Sequence, residues 1–184
     1  VVKSLNQTVR TISPEVRDGL NVRYQTDQWY DANDNITRIA IQNYDEAGVL
    51  QAKAAFASRF EYEVLNRLVR LTRDVTDTHT LSIDYGYDAN RNRVLVRYGE
   101  ATNGRQTNNV VRRTYDERDR LFQVTRAPGE PAQSTSQYDY DGNGNLIRFT
   151  EGLEAAPRTF VHTFDGFDRV VEEADPMGNR TSRV

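Results

Sequence analysis

The sequence predicts an all-β protein built as an antiparallel array of β-hairpins. The first observation is a recurrence. An aromatic–acid pair followed closely by an aliphatic residue occurs at Tyr30-Asp31…Ile36, Tyr44-Asp45…Leu50, Tyr62-Glu63…Leu68, Tyr87-Asp88…Val94, Tyr115-Asp116…Leu121, Tyr140-Asp141…Leu146 and Phe164-Asp165…Val170. The second is its spacing, which settles at about 25 residues, the length of one small supersecondary unit stacked on the next. The third is the chemistry between each acid and its aliphatic partner, which is that of a tight turn.

In that turn, an Asp at the first position accepts a hydrogen bond from backbone two residues on. A Gly, Asn or Asp three positions later tolerates the left-handed conformation of a bulged loop. In chain order this fourth position is Asp34, Gly48, Asn66, Asp119, Gly144 and Asp168. The aromatic and aliphatic residues then face each other across the two strands, Tyr115 against Leu121 and Tyr140 against Leu146 among them. Just inside them Glu63 meets Arg67, Asp116 meets Arg120 and Asp165 meets Arg169. Such surface ion pairs are worth roughly 0.2–1 kcal/mol each and serve mainly to fix register. The Tyr87-Asp88 copy departs from the pattern, and its Val94 predicts a longer turn through Asn90, Arg91 and Asn92.

The strands entering the turns alternate in one sense, since Phe60/Tyr62, Tyr85/Tyr87, Tyr138/Tyr140 and His162/Phe164 lie two apart and share a face. On the outgoing strands Val69 and Leu71, Phe122 and Val124, and Ile147 and Phe149 fall on the opposite parity. That parity predicts apolar groups on both faces. The alanine-rich stretch from Val49 to Arg59 has helical propensity, but its place after a turn predicts strand. Connecting loops are marked by Asn103-Gly104, by Ala127 to Pro131, by Glu151-Gly152, by Ala156-Pro157 and by Asp175-Pro176-Met177-Gly178-Asn179.

Leu, Ile, Val and Phe make up about 23 % of the chain, above the ~20 % below which chains tend to remain disordered. Hydrophobic residues reach only 37 % while charged residues reach 28 %, a balance suited to a thin sheet rather than a thick core. The net charge of −3 and pI near 5.5 argue against a nucleic-acid partner. No apolar run approaches the ~18 residues of a membrane-spanning helix. Without cysteine, neither disulfides nor thiolate metal sites are available. All but two of the 24 basic residues are arginine, which can stack on tyrosine and grip carboxylates in bidentate fashion.

The segments YDYDGNGNLIRFTEG, YDERDRLFQVTRAP and FDGFDRVVEEADPMGNRT resemble YD or Rhs repeats, and the likeness extends over roughly residues 24 to 184. That family includes bacterial Rhs polymorphic toxins, the B and C components of Tc toxin complexes, and teneurins. The resemblance implies a spiralling β-sheet shell that encloses a C-terminal toxin or effector polypeptide until delivery, in a protein secreted or delivered outside a bacterial cell. Its implied partners are the remaining repeats of the same shell, the enclosed polypeptide and a secretion or delivery component. The chain then reads as a single array over residues 1–184, a piece of a longer one, with the residues before Tyr24 carrying no copy of the motif. No self-cleaving aspartate motif is visible to carry over.

Other readings compete at particular residues. The tyrosines would suit a sugar-binding platform of an extracellular adhesive module, but their recurrence opposite a cross-strand partner favours packing. Asp31/Asn33/Asn35, Asp88/Asn90/Asn92 and Asp141/Asn143/Asn145 echo the start of a calcium loop, yet the twelfth positions carry Gln42, Gly99 and Gly152 in place of Glu. No metal or other cofactor is therefore expected. The only histidines are His79 and His162, and no nucleophile motif accompanies them, so catalysis is not expected. His162 takes the strand position of Phe60, Tyr85 and Tyr138, which marks it as a structural substitute; Trp29 is expected to be buried against the first hairpin.

Overall fold

The computed structural model describes residues 7–14, 23–45 and 47–183. The chain divides into two compact units, Val1–Tyr85 and Gly86–Val184. The first holds β1 (Arg10–Ile12), β2 (Gln25–Tyr30), β3 (Ile36–Tyr44), β4 (Leu50–Tyr62), β5 (Leu68–Asp74) and most of β6 (Thr80–Tyr87). The second holds β7 (Arg93–Arg97), a single helical turn α1 (Gly99–Thr102), β8 (Val110–Tyr115), β9 (Leu121–Arg126), β10 (Ser134–Tyr140), β11 (Leu146–Glu151), β12 (Arg158–Phe164), β13 (Val170–Ala174) and β14 (Arg180–Ser182). The fold is all-β, and within each unit neighbouring strands pair antiparallel in chain order. The alanine-rich stretch lies within β4, where pairing with β3 and β5 overrides helix propensity.

The turns follow one rule. At each, the first residue donates its N–H to the carbonyl of the fifth, as in Asp31 to Asn35 at 2.9 Å and Asp116 to Arg120 at 2.9 Å. The fourth residue donates back to the first and adopts positive φ, from 59° at Asn66 and Asp119 to 97° at Gly144. The Tyr87 copy keeps this length, contrary to the longer turn its sequence predicts: Asp88 donates to the Asn92 carbonyl at 3.0 Å and Arg91 carries φ 76°. Val94 is therefore the second residue of β7, not its first. Asp175 to Asn179, expected only as a connecting loop, forms the same turn with Ala174 where the aromatic would be. It lies between β13 and β14, at the end opposite the Asp165 turn, just as the Tyr44 turn lies opposite that of Tyr30. The early copies are closely spaced because Tyr44 belongs to the other edge.

A one-residue bulge follows the turns after β2, β4, β8, β10 and β12 and resolves the parity of their outgoing strands. Tyr140 pairs with Leu146 and Asp139 with Arg148, which leaves Ile147 as the extra residue and brings Phe149 opposite Tyr138. Val69, Phe122 and Val171 are extra in the same way, so that Leu71 faces Phe60 and Val124 faces Arg113. The bulge shifts the alternation by one, and the ring-bearing face is continued rather than exchanged. The expectation that Leu71, Val124 and Phe149 lie on the face opposite the rings is corrected accordingly.

In the first unit the ring-bearing face carries Tyr30 with Ile36, Ile41 with Phe56, and Phe60 with Leu71 and Ile83. Its other face carries Trp29, Arg38, Arg59, Thr72 and Ser82 in one row. In the second unit Tyr138, Phe149 and Phe160 form a row of rings, with centroids 5.1 and 5.9 Å apart. The opposite face there runs through Gln123, Gln137, Thr150 and Thr159, joined by side-chain hydrogen bonds such as Gln123 Nε2 to Gln137 Oε1 at 3.0 Å. Burial is shallow. Among the described residues the buried hydrophobic side chains are Ala40, Ala57, Val96 and Val124, and no large side chain is fully enclosed.

Candidate functional site

The chemistry of this chain is concentrated in its turns and in the tyrosines beside them. Asp31 Oδ1 accepts the backbone N–H groups of Asn33 and Asn35, both at 2.9 Å, while Oδ2 accepts Asn35 Nδ2 at 3.0 Å. Asp141 holds Asn143 and Asn145 in the same way, and Asp175 holds Met177 and Asn179. At Asp116 and Asp165 the side-chain donor is instead Arg Nε, at 2.8 Å in both turns. Asp45 accepts the N–H groups of Ala47 and Val49, and Asp88 that of Asn92; Glu63 is paired with Arg67. One carboxylate thus satisfies turn donors that would otherwise compete for water.

These bonds favour the ionised carboxylates. The Asn35 amide holds Asp31 below the usual carboxylate range, Asn145 does so for Asp141, Arg169 for Asp165 and Asn179 for Asp175. At Asp116 desolvation pushes upward, but the Arg120 N–H and guanidinium outweigh it and the carboxyl again lies low. The carboxylate oxygens of Asp31, Asp88 and Asp141, which suggested the start of a calcium loop, are therefore engaged by N–H donors. Among the described residues no group of three or more His, Cys, Asp or Glu is placed to hold a metal ion.

Successive turns also grip one another. Asn33 and Asn35 both donate Nδ2 to Asn66 Oδ1, at 3.0 and 2.9 Å. Asn90 and Asn92 reach Asp119 Oδ1, and Asn143 and Asn145 reach Asp168 Oδ1. The residue at the left-handed fourth position is thus the acceptor for the turn before it, a second reason for Asn or Asp there. Gln7 Nε2 donates to Asp34 Oδ1, so the same linkage reaches a segment in which the sequence displays no aromatic–acid pair.

The tyrosines pack and also donate. Tyr62 Oη donates to the Ile36 carbonyl at 3.0 Å, Tyr140 Oη to that of Leu121 at 3.0 Å, and Tyr115 Oη to that of Arg93 at 3.3 Å. Tyr30 Oη reaches the Thr8 carbonyl at 3.0 Å and Tyr44 Oη reaches Gln42 Oε1 at 3.2 Å. Phe164 has no hydroxyl, and beside it His162 Nδ1 lies 3.3 Å from the Leu146 carbonyl, the atom a tyrosine would have met. Burial raises the phenol pKa at Tyr62 and Tyr140.

Three residues lie outside what the motif announced. Trp29 is 41 % exposed, on the face away from Tyr30, and Arg38 covers its ring at 4.5 Å; it is not buried against the hairpin. Asp74 is buried and accepts the Ala57 N–H at 3.1 Å and Arg59 Nη1 at 3.0 Å, with Lys53 at 3.4 Å. Desolvation opposes its ionisation, and these donors outweigh it and lower its pKa. Glu154 accepts the Thr135 N–H at 2.9 Å and Gln133 Nε2 at 3.0 Å, and hydrogen bonds from Thr135 and Gln133 bring its carboxyl down to about 2. An isolated acid, at a strand end for Asp74 or in a loop for Glu154, gives no sequence signal for either role.

The concavity lined by Gln7, Arg10, Asp27 and Trp29 has its charges paired with each other, Arg10 Nε to Asp27 Oδ1 at 2.6 Å. Among the described residues no helix is long and apolar enough to cross a membrane.

No family model matches the sequence, and no curated protein matches it significantly. Solved structures do. The fold is similar to that of TcdB2–TccC3, with TM-score 0.59 and 14 % identity over 91 % of this chain and 10 % of that one. TcdB2–TccC3 without its hypervariable C-terminal region gives 0.56 and 17 % over 92 % of this chain and 10 % of that chain. TcdB2–TccC3–Cdc42 gives 0.56 and 17 % over 83 % and 8 %. The chain spans about a tenth or less of the length of the proteins it resembles. The antiparallel hairpin array anticipated from the repeats is thus the fold of this chain, matching a segment of TcdB2–TccC3.

Proposed function

We propose that this chain is a structural segment of an Rhs/YD-repeat β-shell, which encloses and protects a C-terminal toxin or effector polypeptide until delivery. The observation that carries the reading is the match of nearly the whole chain to about a tenth of TcdB2–TccC3. One compared form lacks a hypervariable C-terminal region, and a variable polypeptide attached to a constant array is the arrangement proposed for the parent of this chain. Its partners are the remaining repeats, the enclosed polypeptide and a delivery component, and the whole is secreted or delivered outside the bacterial cell. The role is compartmentation, not catalysis. Turns that clamp their neighbours and a sheet with little core of its own both suit a wall completed by further repeats.

The test is the intact mass of the natural polypeptide containing this sequence, measured under denaturing conditions, followed by limited proteolysis of the native material. A mass many times 21.1 kDa, with a C-terminal fragment that becomes cleavable only after denaturation, is the expected result. A mass of 21.1 kDa would overturn the proposal, because so few hairpins cannot wrap a protein guest.

A further inference from the structure

Two chemistries link neighbouring turns. Where the fifth position is an amide, it reaches an acceptor at the fourth position of the next turn, as Asn35 does to Asn66, Asn92 to Asp119 and Asn145 to Asp168. Arg120 behaves differently. The next fourth position is Gly144, and the guanidinium lies over the Tyr140 ring, 4.6 Å from its centroid. Its Nη1 donates to the Asp141 carbonyl at 3.1 Å, while Arg118 Nη1 donates to that of Gly142 at 2.8 Å. Those contacts leave the Arg120 side chain 24 % exposed.

Arg169 occupies the same fifth position and makes the same bond within its turn, Nε to Asp165 Oδ2 at 2.8 Å. Its side chain is nevertheless 73 % exposed. The guanidinium turns back over Phe167 of its own turn at 5.4 Å, and that phenylalanine is itself 81 % exposed. An arginine that internally bridges to the next turn here stands beside an exposed ring with no such turn against it among the described residues.

We propose that Arg169, with Phe167 beside it, is a docking position for one further turn of the same polypeptide, of the Tyr-Asp-x-x-Gly type. The incoming tyrosine ring lies under the guanidinium, the carbonyl of the following aspartate accepts from Nη1, and glycine takes the left-handed fourth position as Gly144 does beside Arg120. This rests on the reading of the chain as part of a longer array. It adds the identity of the next element and the residues that receive it.

The test compares the 184-residue chain with one in which β14 is lengthened beyond Val184 to serve as the first strand of a new hairpin, ending in a copy of the turn and second strand of residues 140–151. Arginine-selective dicarbonyl modification is read by mass spectrometry, and hydrogen exchange reports whether the added strands form. In the present chain Arg169 should react about threefold faster than Arg120, following their exposures of 73 % and 24 %. In the extended chain its rate should fall to that of Arg120, and leucine in place of the added tyrosine should restore it. Protected new strands with Arg169 still reactive overturn the docking proposal and leave the array reading intact. Unprotected new strands overturn both. Shielding of Arg169 in the present chain that grows with concentration would assign the position to a second copy, and so also overturn it.

Discussion

Replacing Tyr140 by Phe isolates one hydrogen bond from the packing around it. The hydroxyl donates to the Leu121 carbonyl at 3.0 Å, whereas the ring faces Leu146 and lies under Arg120. Phenylalanine keeps the ring and both of those contacts. What is lost is a half-buried donor to a backbone acceptor, worth about 1 kcal/mol. For a cooperative unit of about 100 residues that corresponds to a fall of about 4–8 °C in Tm. The assay is urea and thermal denaturation followed by far-UV circular dichroism, with Tyr138→Phe as control, since among the described residues no hydrogen bond engages the Tyr138 hydroxyl. Tyr138→Phe should stay within about 0.5 kcal/mol of the parent. Equal losses in the two variants, or none in Tyr140→Phe, would refute the assignment of the tyrosine hydroxyl as the tie between repeats. The reverse experiment uses the natural exception: in a His162→Phe background, which deletes the 3.3 Å contact to the Leu146 carbonyl, Phe164→Tyr should recover about 1 kcal/mol.

Acid should unfold the array through its turns. Asp31, Asp116, Asp141, Asp165 and Asp175 have folded-state pKa values below their unfolded ones, so they contribute fully above the ordinary carboxylate range, near ~3.9, and that contribution is lost as pH falls through the lowered values. The urea midpoint measured from pH 7 to pH 2 should decline only below that range, and Asp141→Asn should shallow the decline. Gly144→Ala should cost about 1–2 kcal/mol by calorimetry, because φ is 97° there while the nearest obstruction to a Cβ is Arg120 Nη1 at 3.9 Å; Gly142→Ala, with open space around it, should be neutral. Asp74→Ala should cost about 2 kcal/mol, chiefly by leaving the Ala57 N–H without its acceptor, and chemical denaturation measures it. Arg113 Nη1 is buried without a hydrogen-bond partner opposite Val124, so Arg113→Met should be neutral or raise Tm.

The hairpins were legible because their determinants are local. An aspartate, a left-handed position and an aromatic–aliphatic pair lie within seven residues, and one reading frame contains them all. Spatial arrangement of the copies was less accessible: Tyr44 matches the motif yet serves the opposite edge, while Asp175 forms the turn behind Ala174, where no aromatic announces it. The bulges at Val69, Phe122, Ile147 and Val171 defeated strict alternation, since a one-residue insertion reverses the parity of all that follows. Contacts between turns, from Asn35 to Asn66 or Arg120 to Asp141, join residues two strands apart and leave no periodic trace of their own. Glu154 and Asp74 are isolated acids in sequence, and only the approach of Thr135 or Ala57 gives each its role.

The shallow burial of the hydrophobic residues bears on how the stability of the chain depends on temperature. Side chains that keep part of their hydration when folded expose little new apolar surface on unfolding, and apolar exposure is what raises the heat capacity. With no large side chain fully enclosed among the described residues, the increment should fall below the 12–15 cal/mol/K per residue typical of globular domains. The resulting stability curve is broad and low, changing little between cold and warmth.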